Sequence, residues 1–276
     1  MPNQIELNNG IFMISIDTEF AWGFIDKLNT DLARKYIYIS AKRSRRNILK
    51  ILQISEELNV PITFGFVGKL LLQDSKTINS VWNARDIFWQ ILNSQVEHEI
   101  ACHSFSHIEF TKSPREKAQY DIRMCKKVMR DLSVDPVSFL YPRNRIAYID
   151  ILKNEGFKTF RYRLKYESSP NILLNIFVQS YGLPRNVNGL IAIPANILFQ
   201  ASSCVTNTAL LLTSLRALKE IAISRKIFHI MLHDYIESDI TILYLKYVFR
   251  YAKKLEEKGL IEIKTMRDVY EELKHE

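Results

Sequence analysis

Short apolar runs alternate with stretches of helical period from one end of this chain to the other. "GIFMISID" predicts a buried strand ending at Asp17, and "SRRNILKILQISEELNV" sets Ile48, Leu52, Ser55 and Leu58 on one helical stripe. "PITFGFVG" predicts a second strand, "RDIFWQILNS" a helix, and "HEIACHS" a third strand with histidines at its far end. Ser113-Pro114-Arg115-Glu116 has the form of a capping box, and the helix after it carries Ala118, Ile122, Cys125, Met129 and Leu132. A strand in "PVSFLYP", a helix in "AYIDILKNEGF" and a strand opening with "KTFRYR" follow. Residues 166–205 break into loops and short pieces around "SSP", "GLP" and "IPAN". "LLLTSLRALKEIAIS" predicts a helix, "KIFHIMLHD" a strand, "TILYLKYVFRYAKKLEEKG" a long helix capped by Gly259, and "LIEIKTM" a last strand.

Strand-then-helix order predicts a parallel α/β fold, either a barrel or an open sheet. No linker-like stretch divides it, so residues 1–276 read as one domain. In such folds reactive groups gather where strands end. Asp17, Glu19, His103, His107, Arg143 and His233 all fall at those ends, which gives residues far apart in sequence a common address.

Composition narrows the function. With 47% apolar residues the chain can bury a large core, and no repeat or low-complexity tract interrupts it. Three scattered cysteines without C-x-x-C spacing argue against a disulfide scaffold or zinc ribbon and for a reducing compartment. The N-terminus lacks a basic region ahead of its apolar run, and no run approaches the roughly 20 residues of a membrane span. The expected location is therefore the cytoplasm, with peripheral contact at the inner membrane surface left open. The net charge of +8 is spread along the chain rather than interleaved with aromatics, which disfavours nucleic acid and leaves anionic substrates such as phosphate-linked sugars or acidic lipid surfaces.

The candidate chemistry is that of a metal-assisted hydrolase. A catalytic ion wants about three His or carboxylate ligands and an open position. His103 and His107 offer two imidazoles. In "SIDTEF", Asp17 and Glu19 alternate and so face one side of an extended chain, one able to bind metal and the other to take a proton from the water it activates. His233 stands ready to protonate a leaving amine or alkoxide. His98 and His229 read as structural histidines, and His275 as part of a frayed tail. H-E-x-x-H, Walker, G-x-G-x-x-G and G-x-S-x-G patterns are missing.

Taken together, "IDTE", "VPITFGFVG", "HEIACHSFSH", "FLYPRNR" and "IMLHD" resemble the motifs of the polysaccharide deacetylase family, also called NodB homology domains or carbohydrate esterase family 4. The resemblance runs from "FMISIDTEF" to "IEIKTMRDV" and implies a single distorted (β/α)7 TIM-like barrel. It implies Asp17 as base, Glu19, His103 and His107 as ligands of Zn2+ (or Co2+, Mn2+ or Ni2+), and His233 as acid. Leu232 would form part of the acetyl pocket, and the backbone N–H near Arg143 would help hold the oxyanion. Trp22 and Tyr141 are candidates to line a sugar face. Leu140 stands where the family has an arginine that orients the base, and Arg143 is the first choice to replace it, ahead of Arg145, Arg161 or Arg163. Asn144 replaces the usual glycine, and Glu19 is a methylene longer than the usual aspartate.

The implied activity is removal of N- or O-acetyl from a nucleotide- or lipid-linked sugar, in a branch associated with surface-polysaccharide or O-antigen biosynthesis. A non-catalytic glycan-binding or assembly protein, and a deacylase of another amide such as formyl, are the competing expectations.

Overall fold

The computed structural model describes residues 4–27, 31–72, 81–163, 181–201, 203–236 and 238–274. Of the irregular stretch 166–205, residues 166–180 and 202 lie outside the described residues, as does His275.

Ten strands are present among the described residues: β1 (Gly10–Thr18), β2 (Thr63–Phe66), β3 (Glu99–Cys102), β4 (Ser138–Leu140), β5 (Thr159–Arg163), β6 (Arg185–Val187), β7 (Leu190–Ala195), β8 (Ile197–Leu198), β9 (Ile227–His233) and β10 (Ile261–Ile263). The order in the sheet is β6-β7-β5-β4-β3-β2-β1-β9-β8, with β10 on β1. Among these ten strands only the β6–β7 pairing is antiparallel. β7 bonds to β5 and β8 bonds to β9, yet these two strands are one piece of chain interrupted at Asn196. There the Asn196 N–H donates to the His229 carbonyl, and the His229 N–H donates to the Asn196 side chain. The sheet thus comes round on itself, in keeping with the expected (β/α)7 barrel. The helices are α1 (Asp31–Leu58), α2 (Arg85–Leu92), α3 (Arg115–Arg130), α4 (Ile149–Asn154), α5 (Cys204–Ser224), α6 (Asp239–Glu256) and α7 (Met266–Lys274).

Strand parity sorts every side chain. Phe12, Ile14 and Ile16 of β1, Phe64 and Phe66 of β2, Ile100 and Cys102 of β3 and Phe228, Ile230 and Leu232 of β9 pack outward with the helices in the larger apolar core. The other parity fills the interior, where Ile11, Met13, Ala101, Leu140, Ile193 and Ile227 form a second, smaller cluster. Gly65 belongs to this inner layer, and a Cβ there would come within 2.7 Å of Leu140 Cδ2, so a larger residue would have to displace that side chain. Above the apolar layer the inner positions become Ser15, Asp17, His103, Arg161, His229 and His233, which crowd the C-terminal rim.

Two local expectations change. α1 begins at Asp31, well before the "SRRNILKILQISEELNV" segment, although Ile48, Leu52 and Ser55 are buried as its stripe requires. The capping box does not form: the Ser113 hydroxyl donates to the Glu109 carbonyl, and α3 starts behind Pro114 without a side-chain cap.

Candidate active site

β1 and β9 run parallel with Asp17 opposite His233, so register alone brings the first acidic motif to the last histidine motif. β1 stops at Thr18 because Asp234 Oδ2 accepts the N–H groups of both Glu19 and Phe20 at 2.9 Å, while Phe20 turns into the left-handed region at φ 50°. That clamp aims Glu19 inward. Its Oε1 lies 2.9 Å from His103 Nε2 and 3.1 Å from His107 Nε2. Asp17 Oδ2 stands 3.9 Å from His103 Nε2. Ligand atoms of Asp17, Glu19 and His233 also lie within 4.8 Å of one another.

The loop joining the two histidines is pinned by one buried carboxylate. Asp121 of α3 accepts the Ser104 hydroxyl at 2.5 Å, the Phe105 N–H at 2.7 Å, and the Ser106 N–H and hydroxyl at 3.0 and 2.7 Å. Ser104 (φ 68°) and His107 (φ 56°) both take left-handed backbone, which costs of order 1–3 kcal/mol each and persists only where the surroundings impose it. The four bonds to Asp121 supply that constraint.

These residues fit a divalent ion. His103 Nδ1 is 2.8 Å from the Leu140 carbonyl, which can only accept, so Nδ1 carries the proton and the Nε2 lone pair faces Glu19. Two acceptors that close need a proton or a cation between them. Burial disfavours the His103 imidazolium, but the charges of Asp17 and Glu19 outweigh it and hold the ring's pKa above its ordinary value. His107 Nδ1 is buried without a hydrogen-bond partner, so its Nε2 is the atom that serves the cluster. One carboxylate oxygen and two imidazole nitrogens within 4.8 Å form a donor set suited to Zn2+ or a neighbouring transition metal.

Asp17 meets a different partner. Arg161, itself completely buried, gives Nη1 to Oδ1 at 2.6 Å and Nη2 to Oδ2 at 2.7 Å, with Nη1 also 3.0 Å from Ser15 Oγ. Burial pushes the Asp17 carboxyl up, but Arg161 and then His103 more than reverse this, leaving it below the usual carboxylate range. For Glu19 burial is likewise outweighed, chiefly by His107 and His103, and its carboxyl lies well below the ordinary value.

Arg161 corrects the first choice for the orienting arginine. It is the register partner of Leu140 across the β4–β5 pair, so it fills the neighbouring inward position and reaches the same carboxylate. Arg143 instead occupies an exposed turn at φ 57°, where it lines a cavity rather than meeting Asp17.

Two substrate-contact expectations also change. Tyr141 is fully buried among Phe110, Phe139 and Phe160, its hydroxyl donating to the Ala147 carbonyl, so it packs the core. Leu232 is fully buried on the outward parity of β9, beneath the helices; Met231 has the inward parity. Trp22 does line the cavity, of about 670 Å3, which opens beside His107. Its Nε1 donates to the Trp82 carbonyl at 3.2 Å.

His233 lies partly open at the rim. Its Nδ1 is 2.9 Å from Gln200 Oε1, which requires that nitrogen to donate, and its ring stacks on Tyr235 at 4.9 Å. Gln200 and Asp121 carried no signal in sequence: neither belongs to a motif, and only the fold brings them to their histidines. His229 is buried between the Pro194 carbonyl and Ser15 Oγ, with its pKa lowered to about 3 by burial and then Arg161. His98 is similar, accepting from the Ile62 N–H and held near 4 by burial.

The model of the polysaccharide deacetylase family matches residues 35–158. Over that span, a little under half of its length, the chain is similar to polysaccharide deacetylases. The matched deacetylase segment holds both candidate histidine ligands and Arg143, while Asp17, Glu19, Arg161 and His233 lie outside it. No curated protein matches the chain. Among solved structures, a protein from Mycobacterium smegmatis assigned as a polysaccharide deacetylase is 13% identical at a TM-score of 0.72, the match covering 100% of this chain and 95% of that one. An allantoinase is 13% identical at 0.67, covering 95% and 90%. A family 4 pseudoenzyme from Bacillus anthracis is 11% identical at 0.52, covering 98% and 69%. At these identities the three establish the deacetylase-type fold. No helix among the described residues is long and apolar enough to cross a membrane.

Proposed function

We propose that residues 1–276 form one metal-dependent carbohydrate deacetylase domain, which removes an N-acetyl or O-acetyl group from a sugar during surface-glycan assembly in the cytoplasm, at or near the inner membrane surface. The observation that carries this reading is the pairing of two buried carboxylates with different partners. Glu19 faces two imidazoles and Asp17 faces a guanidinium, with Asp17 Oδ2 3.9 Å from the His103 nitrogen that Glu19 meets at 2.9 Å. A ligand and a base are thereby distinguished by their surroundings.

Glu19, His103 and His107 would hold a divalent ion, which when bound polarises an acyl oxygen and makes a nearby water more acidic. Asp17, kept ionised by Arg161 and oriented through both of its oxygens, takes a proton from the attacking water at a carboxylate oxygen. His233 delivers a proton to the departing nitrogen or oxygen, its ring held in one tautomer by Gln200 at Nδ1 so that Nε2 is the atom for transfer. The backbone N–H at Arg143 is assigned to the developing oxyanion, a use that suits its sharply turned left-handed position. The balance is hydrolytic: water is added across the acyl bond, and acetate and a free amine or hydroxyl leave.

The competing expectation of a binding-only protein draws on the absence of an arginine at Leu140. Arg161 supports catalysis instead, because it restores the guanidinium–carboxylate contact from the adjacent strand. Three free cysteines, two of them buried, are compatible with a reducing compartment.

The test is acetate release from N-acetylated sugars by protein supplied with Zn2+, with formate release from N-formyl analogues run beside it. Release that needs the metal and falls by about 10²–10⁴-fold in Asp17→Asn supports the assignment. Saccharide binding with neither acetate nor formate released contradicts it, and formate alone moves the assignment to a deformylase.

A further inference from the structure

The cavity beside His107 has a charge that acyl hydrolysis does not require. Lys69, Lys112, Lys117 and Arg143 line it, against a single carboxylate, Glu109. These cations come from the segments that follow three successive strands, β2, β3 and β4, so the barrel itself gathers them on one side of the rim. Lys112 reaches Glu109 at 3.0 Å, which accounts for the acidic side chain. The Lys69 ammonium sits 4.6 Å from the Trp22 ring centre and 5.8 Å from that of Phe105. Aromatic faces position an ammonium without cancelling its charge. His107 forms part of the same wall, so whatever occupies the cavity adjoins the proposed metal position. At about 670 Å3 the space is of the size that encloses a drug-sized molecule, larger than one sugar ring.

We infer that this cavity is a phosphate subsite, and that the substrate is an acylated sugar carrying a phosphate or diphosphate on the part that extends past Trp22. The inference rests on the hydrolase reading for the identity of the reacting group, and on the cavity's charge for the phosphate. Lysine acts on a phosphate as a point charge and arginine as a planar fork, and this wall presents both. A neutral glycan would bring no anionic group to Lys69 and Lys117. A nucleotide-linked sugar and a lipid-linked sugar share the chemistry, and the choice between them lies beyond the phosphate.

Two measurements test this on the full chain. In the first, the Zn2+-supplied protein and its Lys69→Met/Lys117→Met variant are assayed for acetate release. The substrates are N-acetylglucosamine, its 1-phosphate, its uridine diphosphate ester and its diphosphate linked to a short polyprenyl chain. The subsite predicts a KM about ten-fold lower for the phosphorylated sugars than for the neutral one. It also predicts that the double variant raises only the phosphorylated KM values, by about ten-fold, with kcat held within about two-fold. Preference for the uridine or the polyprenyl compound identifies the source of the phosphate.

In the second, calorimetry follows pyrophosphate binding to both proteins, with about a ten-fold loss of affinity expected in the variant. Equal KM values for neutral and phosphorylated sugars, or a variant that binds pyrophosphate as the wild type does, overturn the subsite. Pyrophosphate binding that the variant weakens, with no acetate from any sugar, upholds the subsite and removes the hydrolase reading.

Discussion

Glu19 and Glu99 are both buried glutamates at opposite ends of one barrel interior, and their carboxyl pKa values move in opposite directions. Glu99 opens β3 at the closed end. It accepts from the Thr63 hydroxyl at 2.8 Å, the Ser138 hydroxyl and the Arg267 N–H at 3.0 Å. Those donors are neutral groups, so burial prevails and the carboxyl's pKa is raised. Glu19 stands past the end of β1 at the open rim, where His107 and His103 outweigh the same burial and lower it. Burial alone therefore does not make a functional carboxylate. The sign of the groups within hydrogen-bond reach does, and the fold places hydroxyls at one end and imidazoles at the other.

The strongest way to break this contrast is Arg161→Met. It leaves Asp17 buried without its counter-charge, and about 3–5 kcal/mol of stability should be lost in denaturant unfolding. A loss under about 1 kcal/mol would mean that the pair does not anchor the rim.

Gly23→Ala comes next. A Cβ there would overlap the Glu19 carboxylate, so metal affinity measured by competition with a chelator should fall about 10–100-fold. Unchanged affinity would remove Glu19 from the ligand set.

Glu99→Gln is the opposite case. It keeps the shape and the neutral hydrogen-bond partners, so stability near neutral pH should change by no more than about 1 kcal/mol. The sign follows from linkage: a carboxyl whose folded pKa exceeds its unfolded one stabilises at low pH and loses that contribution as pH rises through the folded value. The variant should therefore decline less than wild type as pH rises above 4.5; equal declines would contradict the raised carboxyl.

The buried histidines set the acid side. His98 and His229 are held near 4 and 3, below the 6.5 of the unfolded chain, so the unfolded state binds more protons as pH falls through 6.5 toward 4. Each should cost roughly 1 kcal/mol per pH unit across that window, seen as a falling midpoint in denaturant titrations. A midpoint unchanged from pH 6.5 to 4.5 would contradict the neutral assignment.

How far sequence reading reached follows the same division. Strand parity and motif spacing made the rim readable, because Asp17, Glu19, His103, His107 and His233 each belong to a local pattern at a strand end. The contacts that hold them were not readable. Arg161 answers to Leu140 only across a β-pairing, Asp121 comes from the middle of a helix, and Gln200 follows a segment without periodicity. Leu232 differs from its expected place because sequence alone does not say which parity of β9 faces inward. Tyr141 was misassigned because a tyrosine near a motif resembles a ligand platform until its hydroxyl is seen bonded within the core.

The central claim is that Glu19, His103 and His107 hold one divalent ion together. Elemental mass spectrometry of the purified wild type and of His107→Ala, each dialysed against Zn2+ and then desalted, addresses it directly. One equivalent of metal retained by the wild type and lost by the variant is the predicted result. Equal metal in both proteins, or none in either, would contradict the account.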